Sequence, residues 1–535
     1  MAKDTLPSEL TLQILSYLAK SELATCRLTC KAFEATIRPQ FYRTVSWDFD
    51  KLRGRKLLDL IGVLTSYTYA AGAHAEELEV SGSLPLLWLV GPLSFKDTKD
   101  DAHSSGTLAR ILSAFTKKPP KPPPEHHEGW PRKGRETPQS VAIRHLFRTF
   151  PQHLRNVRSV RWELTYSSAQ YDSLLVEGLT ELPLLVSFAI HSINDVSYLM
   201  PLDRFTTLES ITLSGKSISF QNLLRLNVPI MLERNPKVVS LSLGYTHREF
   251  SLALDELIKP LETCTYLRGP LQELKILGFS AAVPEQSMMD LRRLTSLELN
   301  SHSRPNVRFS HTMLLAKLQA EQIHLQHLVI DVPSAALFSY LSSYSGLLSL
   351  TISRAGTEDA TSSDVLANQF YSEVLPHHVS TLTRLSISAT FEGRWCFGEH
   401  NAGPFGQCLG LRDLEVSLLF PECSWQKGMF FQSVALVLQS ASQLPRLRTL
   451  QLLVARHEDE RSALHGETVN RQKILKRALI HEIPLVDFCR PHSYPHEVVA
   501  AGKTFVLLDS ISGGYRYTRI PSPEPLTKKS PVEDN

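Results

Sequence analysis

The chain has 535 residues, 42% hydrophobic and 21% charged, and its 57 Lys and Arg against 54 Asp and Glu leave a net charge of +3. That length exceeds one compact core, so the chain must hold several domains or an extended repeat array. A charge this small gives no electrostatic case for nucleic acid or for an anionic membrane surface. The seven cysteines, Cys26, Cys30, Cys264, Cys396, Cys408, Cys423 and Cys489, are an odd, scattered set without framework spacing, which fits the reducing cytoplasm or nucleus. The first residues lack the apolar run of a signal peptide, and the longest such run, Leu84 to Val90, is too short to span a bilayer. A soluble protein, cytoplasmic and/or nuclear, is expected.

The first elements are two short helices. Leu10, Ile14, Leu15 and Leu18 recur at helical spacing, and Leu23, Leu28 and Phe33 do so after the polar break Lys20-Ser21-Glu22. Pro7 sits where a missing N–H is tolerated, and Ser8-Glu9 suits a helix start. Helices this short need their apolar faces covered by other chain or by a partner. The Leu6-Pro7 opening, Glu9-Leu10, Ile14-Leu15-Ser16-Tyr17-Leu18, Glu22-Leu23, Cys30-Lys31 and Phe33 occur in the order that an F-box has them. The segment therefore resembles an F-box of the fungal type, over residues 1–47, and Ile37 to Val45 looks like the helix end and first strand that follow many such domains. The resemblance implies docking on the Skp-type adaptor of a cullin-RING ubiquitin ligase. The residues it implies for that contact are Leu6, Pro7, Glu9, Leu10, Ile14, Leu15, Tyr17, Leu18, Leu23, Leu28, Cys30, Lys31 and Phe33.

Further along, a six-residue pattern L-x-x-L-x-L repeats, with Ala75-Leu78-Val80 as a poorer first copy. An insertion then intervenes. Lys117 to Pro138 holds seven prolines and reads as a disordered surface loop, with Pro119-x-x-Pro122 and the basic pairs around it as weak ligand or nuclear-import signals. The main run starts at Val157-Val160-Trp162 and continues at 185, 208, 238, 271, 294, 325, 347, 382, 411 and finally Leu447-Leu450-Leu452. Steps vary from 22 to 36 residues, with a mean of 29. Helical stretches such as Ser334 to Tyr344, Ser363 to Leu375, Gly428 to Gln443 and Thr468 to Glu482 lie between copies, as does Ser251 to Thr263. Each strand-plus-helix unit has one apolar side that it cannot bury alone, so units stack.

The expected fold is α/β: a helical F-box, then over 48–517 a leucine-rich-repeat-like solenoid with parallel strands inside and helices outside, then a disordered tail over 518–535. It resembles the leucine-rich repeats that follow many F-boxes, without the side-chain Asn ladder of the short-repeat class: the eighth positions hold Thr165, Ile193, Lys216, Thr246, Phe279, His302, Pro333, Ala355, Thr390, Leu419 and Ala455. Strand residues flanking the second inward leucine are expected on the open face, including Asp331, Ser417 and Gly244. Thr212, Ser242, Lys275, Glu298, Thr351, Ser386 and Glu415 are the candidates for contacting a protein substrate, on a face that reads as shallow, hydroxyl-rich and nearly neutral.

Catalytic signals are sparse. The sequence has no Gly-rich phosphate loop, no H-E-x-x-H and no nucleophile elbow. Cys26 and Cys30 lie one helical turn apart without a second ligand pair, and the adjacent histidines His126-His127 and His377-His378 point their side chains apart on any regular element. No cofactor, metal, nucleic acid or membrane partner is expected. The reading is a non-catalytic substrate-recognition subunit of an SCF-type ubiquitin ligase, its partners being the Skp-type adaptor, through it a cullin, and a protein substrate of unknown identity. The alternative is a protein-interaction scaffold that does not direct ubiquitination.

Overall fold

A computed structural model describes residues 42–48, 74–82, 138–164, 169–193, 200–245, 254, 257, 271–281, 291–301, 305–357, 359–419, 429–457, 468–486, 495–509 and 515–520. The chain divides into two compact units, Met1–Val238 and Val239–Asn535.

In the first unit, β1 (Thr44–Asp48), β2 (Glu77–Gly82), β3 (Ser159–Leu164), β4 (Ser187–Ser192) and β5 (Ser210–Gly215) pair in chain order, each parallel to the next. Parallel neighbours need a crossover, and helices supply it: α1 (Pro138–His153) precedes β3 and α2 (Ala169–Thr180) joins β3 to β4. After β5 comes α3 (Ile218–Arg234), whose start is capped by Ser217 Oγ accepting the Phe220 N–H at 3.1 Å. Its C-terminal end is tied down by Asn235, which is 2% exposed. The Asn235 side chain accepts the Leu208 N–H at 2.7 Å and donates to the Phe205 and Met231 carbonyls. Trp47 of β1 meets Phe150 of α1 edge-on at 5.1 Å and stacks on Phe147 at 6.2 Å, so the first strand is sealed by an aromatic contact made far along the chain.

The second unit repeats the scheme over β6 (Ser240–Tyr245), β7 (Glu273–Leu277), β8 (Ser296–Asn300), β9 (His327–Ile330), β10 (Ser349–Ala355), β11 (Arg384–Ala389), β12 (Asp413–Leu418), β13 (Thr449–Val454) and β14 (Glu497–Ala500). All of these pair in order and in parallel. The helices between them are α4 (Pro305–Ala320), α5 (Ala335–Ser342), α6 (Ala360–Gln369), α7 (Glu399–Gly406), α8 (Met429–Ala441) and α9 (Thr468–Glu482), with α6 running on into a single π turn, Phe370–Val374. Crossover length explains the uneven repeat: the step from Leu325 to Leu347 carries the eight-residue α5, whereas the longer step before it carries the 16-residue α4. Then the direction reverses. β15 (Lys503–Asp509) returns antiparallel to β14 and β16 (Tyr515–Arg519) antiparallel to β15. The first turn is Ala501-Gly502, both at positive φ (48° and 71°), the geometry of a two-residue hairpin loop.

The strands lie where the six-residue pattern places them. Its apolar positions form the core from Val157 to Leu452, none more than 9% exposed, and Ala75, Leu78 and Val80 join them on β2. Burying one such side chain contributes about 1.5–3 kcal/mol, so the pattern carries most of the cohesion between neighbouring strands. The missing Asn ladder has a backbone substitute. Beyond the strand ends, Ile193 N–H donates to Leu164, Arg354 to Asp331, Thr390 to Ala355 and Arg456 to Thr390, which extends the ladder into the loops.

Two boundaries differ from expectation. Pro138, read as the last residue of the Pro-rich loop, is the first of α1, a position where its absent N–H costs nothing. Thr518 and Arg519, read as tail, belong to β16, where the ladder to β15 holds them. The expected F-box helices, the rest of the Pro-rich stretch, the tail beyond Ile520 and most of the Ser251–Thr263 helix lie outside the described residues.

Two buried histidines mark the core chemically. His378 is 1% exposed and His311 3%; Nε2 of His378 lies 3.0 Å from the Leu341 carbonyl, while among the described residues His378 Nδ1 and His311 Nε2 have no hydrogen-bond partner. Burial pushes both imidazoles down to about 4 from 6.5, and the Asp331 carboxylate offsets this only partly for His311. Folded, each ring binds a proton less readily than it does unfolded. The unfolded chain therefore gains protons first as pH falls, and stability present above pH 6.5 drains away between 6.5 and about 4. Urea midpoints measured from pH 7 to pH 4.5 should fall, and the His311→Gln, His378→Gln double variant should flatten that fall; an equally steep variant would refute it.

Candidate interaction surface

The strand face not covered by helices is built from alternate strand residues, and parallel pairing in constant register at these positions turns them into straight rows; the register shift in the β10–β11 pair comes after Ile352, beyond them. In the first unit one row runs Ser46, Glu79, Arg161, Ala189, Thr212. In the second the row runs Ser242, Lys275, Glu298, Val329, Thr351, Ser386, Glu415, Gln451, Val499. Of the substrate candidates read from sequence, Ser242, Lys275, Glu298, Thr351, Ser386 and Glu415 all fall in this second row, half-buried, and Thr212 takes the equivalent place on β5.

Much of the face's polarity is used internally. Lys275 Nζ stands 3.2 Å from Glu298, Ser386 Oγ donates to Glu415 at 2.7 Å, Ser240 Oγ donates to Glu273 at 3.0 Å, and Arg384 reaches Asp413 at 3.4 Å. His191 Nδ1 and Ser214 Oγ lie 2.7 Å apart on β4 and β5. Half-exposed pairs of this kind stabilise by about 0–1 kcal/mol at most, and their effect is to leave little net charge presented to a partner. The face of β1–β3 is different. Asp48, Glu77, Glu79 and Glu163 stand there with Arg161 as the one cation at these positions, so this portion is acidic where the sequence reading took the whole face as nearly neutral.

Three residues expected on the face are buried instead. Asp331 is 2% exposed, Ser417 is 1% exposed and Gly244 is also buried. They sit at or near the C-terminal strand ends, and for Asp331 and Ser417 hydrogen bonds from neighbouring segments account for the burial. Ser417 Oγ accepts the Ala389 N–H at 3.0 Å, and Asp331 accepts the Ser301 N–H at 2.8 Å, the Ser301 hydroxyl at 2.6 Å and Arg354 Nη2 at 2.7 Å. Asp331 is thus a structural clamp joining the ends of β8, β9 and β10, a role that its place in the six-residue pattern did not reveal.

His377 is exposed and His378 buried, so the adjacent pair does diverge. Among the described residues no three His, Cys, Asp or Glu side chains gather to hold a metal ion, and no helix is long and apolar enough to cross a membrane. Cys396 and Cys408 are buried thiols, and burial pushes the Cys408 thiol up to about 12, far from the thiolate a nucleophile needs.

The residues expected to contact the adaptor, Leu6 to Phe33, lie outside the described residues. The family described as F-box-like matches residues 3–46. The chain therefore carries an F-box-like domain over residues 3–46, within the first of its two compact units. No curated protein matches the chain.

Proposed function

We propose that this protein is the substrate-recognition subunit of an SCF-type cullin-RING ubiquitin ligase. The F-box-like segment holds a Skp-type adaptor, and through it a cullin, while a leucine-rich-repeat-like solenoid formed by the strand-and-helix repeats holds a protein substrate. The observation that carries this reading is the match over residues 3–46 immediately ahead of repeated parallel strands whose open faces form continuous rows. The subunit performs no chemistry of its own; it shortens the search between a bound protein and the ligase's transfer machinery, so its contribution is proximity. Residence in the cytoplasm or nucleus follows from that assembly.

The test is co-purification from native lysate. Wild type should recover adaptor and cullin, and the Leu6→Ala, Pro7→Ala variant should recover neither while retaining the wild-type circular dichroism spectrum. Equal recovery from both, or adaptor in neither, would remove the ligase assignment. A bound protein whose half-life is unchanged when this chain is deleted would mark it as a scaffold.

A further inference from the structure

The residue just ahead of each strand in the second unit forms a rung of its own. Gln272 donates its N–H to Val239, Thr295 to Gln272, Gln326 to Thr295, Leu348 to Gln326, Thr383 to Leu348, Arg412 to Thr383 and Arg448 to Arg412, the last at 2.7 Å. From β6 to β11 this rung is neutral. At β12 and β13 it becomes Arg412 and Arg448, both exposed, and His496 stands exposed at the corresponding place before β14.

Arg446, exposed two residues before Arg448 on the same loop, adds a third guanidinium. Like charges on neighbouring strands repel and cost stability, so such a cluster normally carries interleaved acids. Here the acid next to Arg412 in the chain is already taken: Asp413 pairs with Arg384 at 3.4 Å. Glu497 pairs in register with Thr449, which places it on the opposite strand face from Arg448. Among the described residues none of Arg412, Arg446 and Arg448 has an acid partner. Planar guanidinium forks that are held apart by a rigid ladder and left without carboxylates match anionic groups spaced along an extended chain.

We infer that the rim formed by Arg412, Arg446 and Arg448 binds an acidic segment of a protein partner, through carboxylate or phosphate side chains. This deepens the receptor reading by giving the substrate a chemistry, and it places recognition on the edge where the strands begin.

The experiment is fluorescence anisotropy of the full chain with two labelled probes, an oligoglutamate peptide and a peptide carrying two phosphoserines. At least one should bind, more weakly as salt rises, and the Arg412→Glu, Arg448→Glu variant should weaken it by at least about tenfold. The control is Arg158→Glu, which reverses the arginine at the same place before β3, where Glu76 and Val186 are its rung neighbours. That variant should bind as wild type does. Binding of one probe alone identifies the anion. No binding of either probe, or equal losses in the two variants, would overturn the proposal. If charge reversal lowers the melting temperature, the Arg412→Gln, Arg448→Gln variant carries the test. The titration needs no adaptor, so its failure is separable from failure of adaptor capture.

Discussion

Replacing Trp395 with Ala is expected to destabilise the second unit by about 3–5 kcal/mol. The indole is 2% exposed and sits among Phe370 at 5.6 Å, Tyr371 at 6.1 Å and Phe338 at 6.3 Å, while Tyr371 also contacts Phe405 at 5.4 Å. These rings come from α5, the π turn after α6, the loop after β11 and α7, so one truncation opens a cavity that several repeats share. The Tyr371 hydroxyl, donating to the Trp395 carbonyl at 3.1 Å, holds the loop in place and would itself be disturbed. Trp395→Phe is the informative partner variant. It keeps most of the volume and removes an indole N–H that is buried without an acceptor among the described residues, so its cost should be well below that of Ala. Urea unfolding followed by hydrogen exchange of the β10–β12 amides would check both, and an Ala variant as stable as wild type would show that the cluster does not hold these repeats together.

The second large effect is expected at Asp331. Asp331→Ala removes the acceptor for the Ser301 N–H, the Ser301 hydroxyl and the Arg354 guanidinium together. Arg354 is about one-third exposed and regains water, but the Ser301 groups are buried and do not. The loss should be about 3 kcal/mol, below the upper range for breaking a fully buried pair. Asp331→Asn, which keeps an acceptor for Ser301 and loses the charge facing Arg354, should fall between wild type and Ala. Thermal melts of the three proteins would decide it, and an Asn variant as damaged as Ala would mean that the Arg354 pairing outweighs the Ser301 bonds.

The repeat was legible because its signal is steric and local. Leu411-Leu414-Val416 and its ten companions state which face of each strand is buried, and a strand's two-residue period leaves no freedom after that. The rows containing Ser242 and Glu415 followed from the same rule. What escaped was set by tertiary context. β14 has Pro495, Val498 and Ala500 at the three apolar positions, too small a set to stand out, and Ala501-Gly502 is a weaker hairpin signal than Asn-Gly. Asp331 looked like a face residue until the loop carrying Ser301 closed over it. Arg412 and Arg448 were visible all along at the second position of the pattern, but the sequence alone did not show that Asp413 was already engaged by Arg384.

The terminal hairpin has a consequence for how such an array changes length. A strand-and-helix unit can be duplicated wherever it would meet a parallel neighbour on both sides, and every junction from β6 to β14 offers that. After β14 the chain direction inverts at β15 and again at β16, so a unit inserted between β14 and β15 would have to pair parallel on one side and antiparallel on the other. Insertion or loss of a unit is therefore expected at the parallel junctions from β6 to β14, where a new strand finds neighbours that already pair in its own sense.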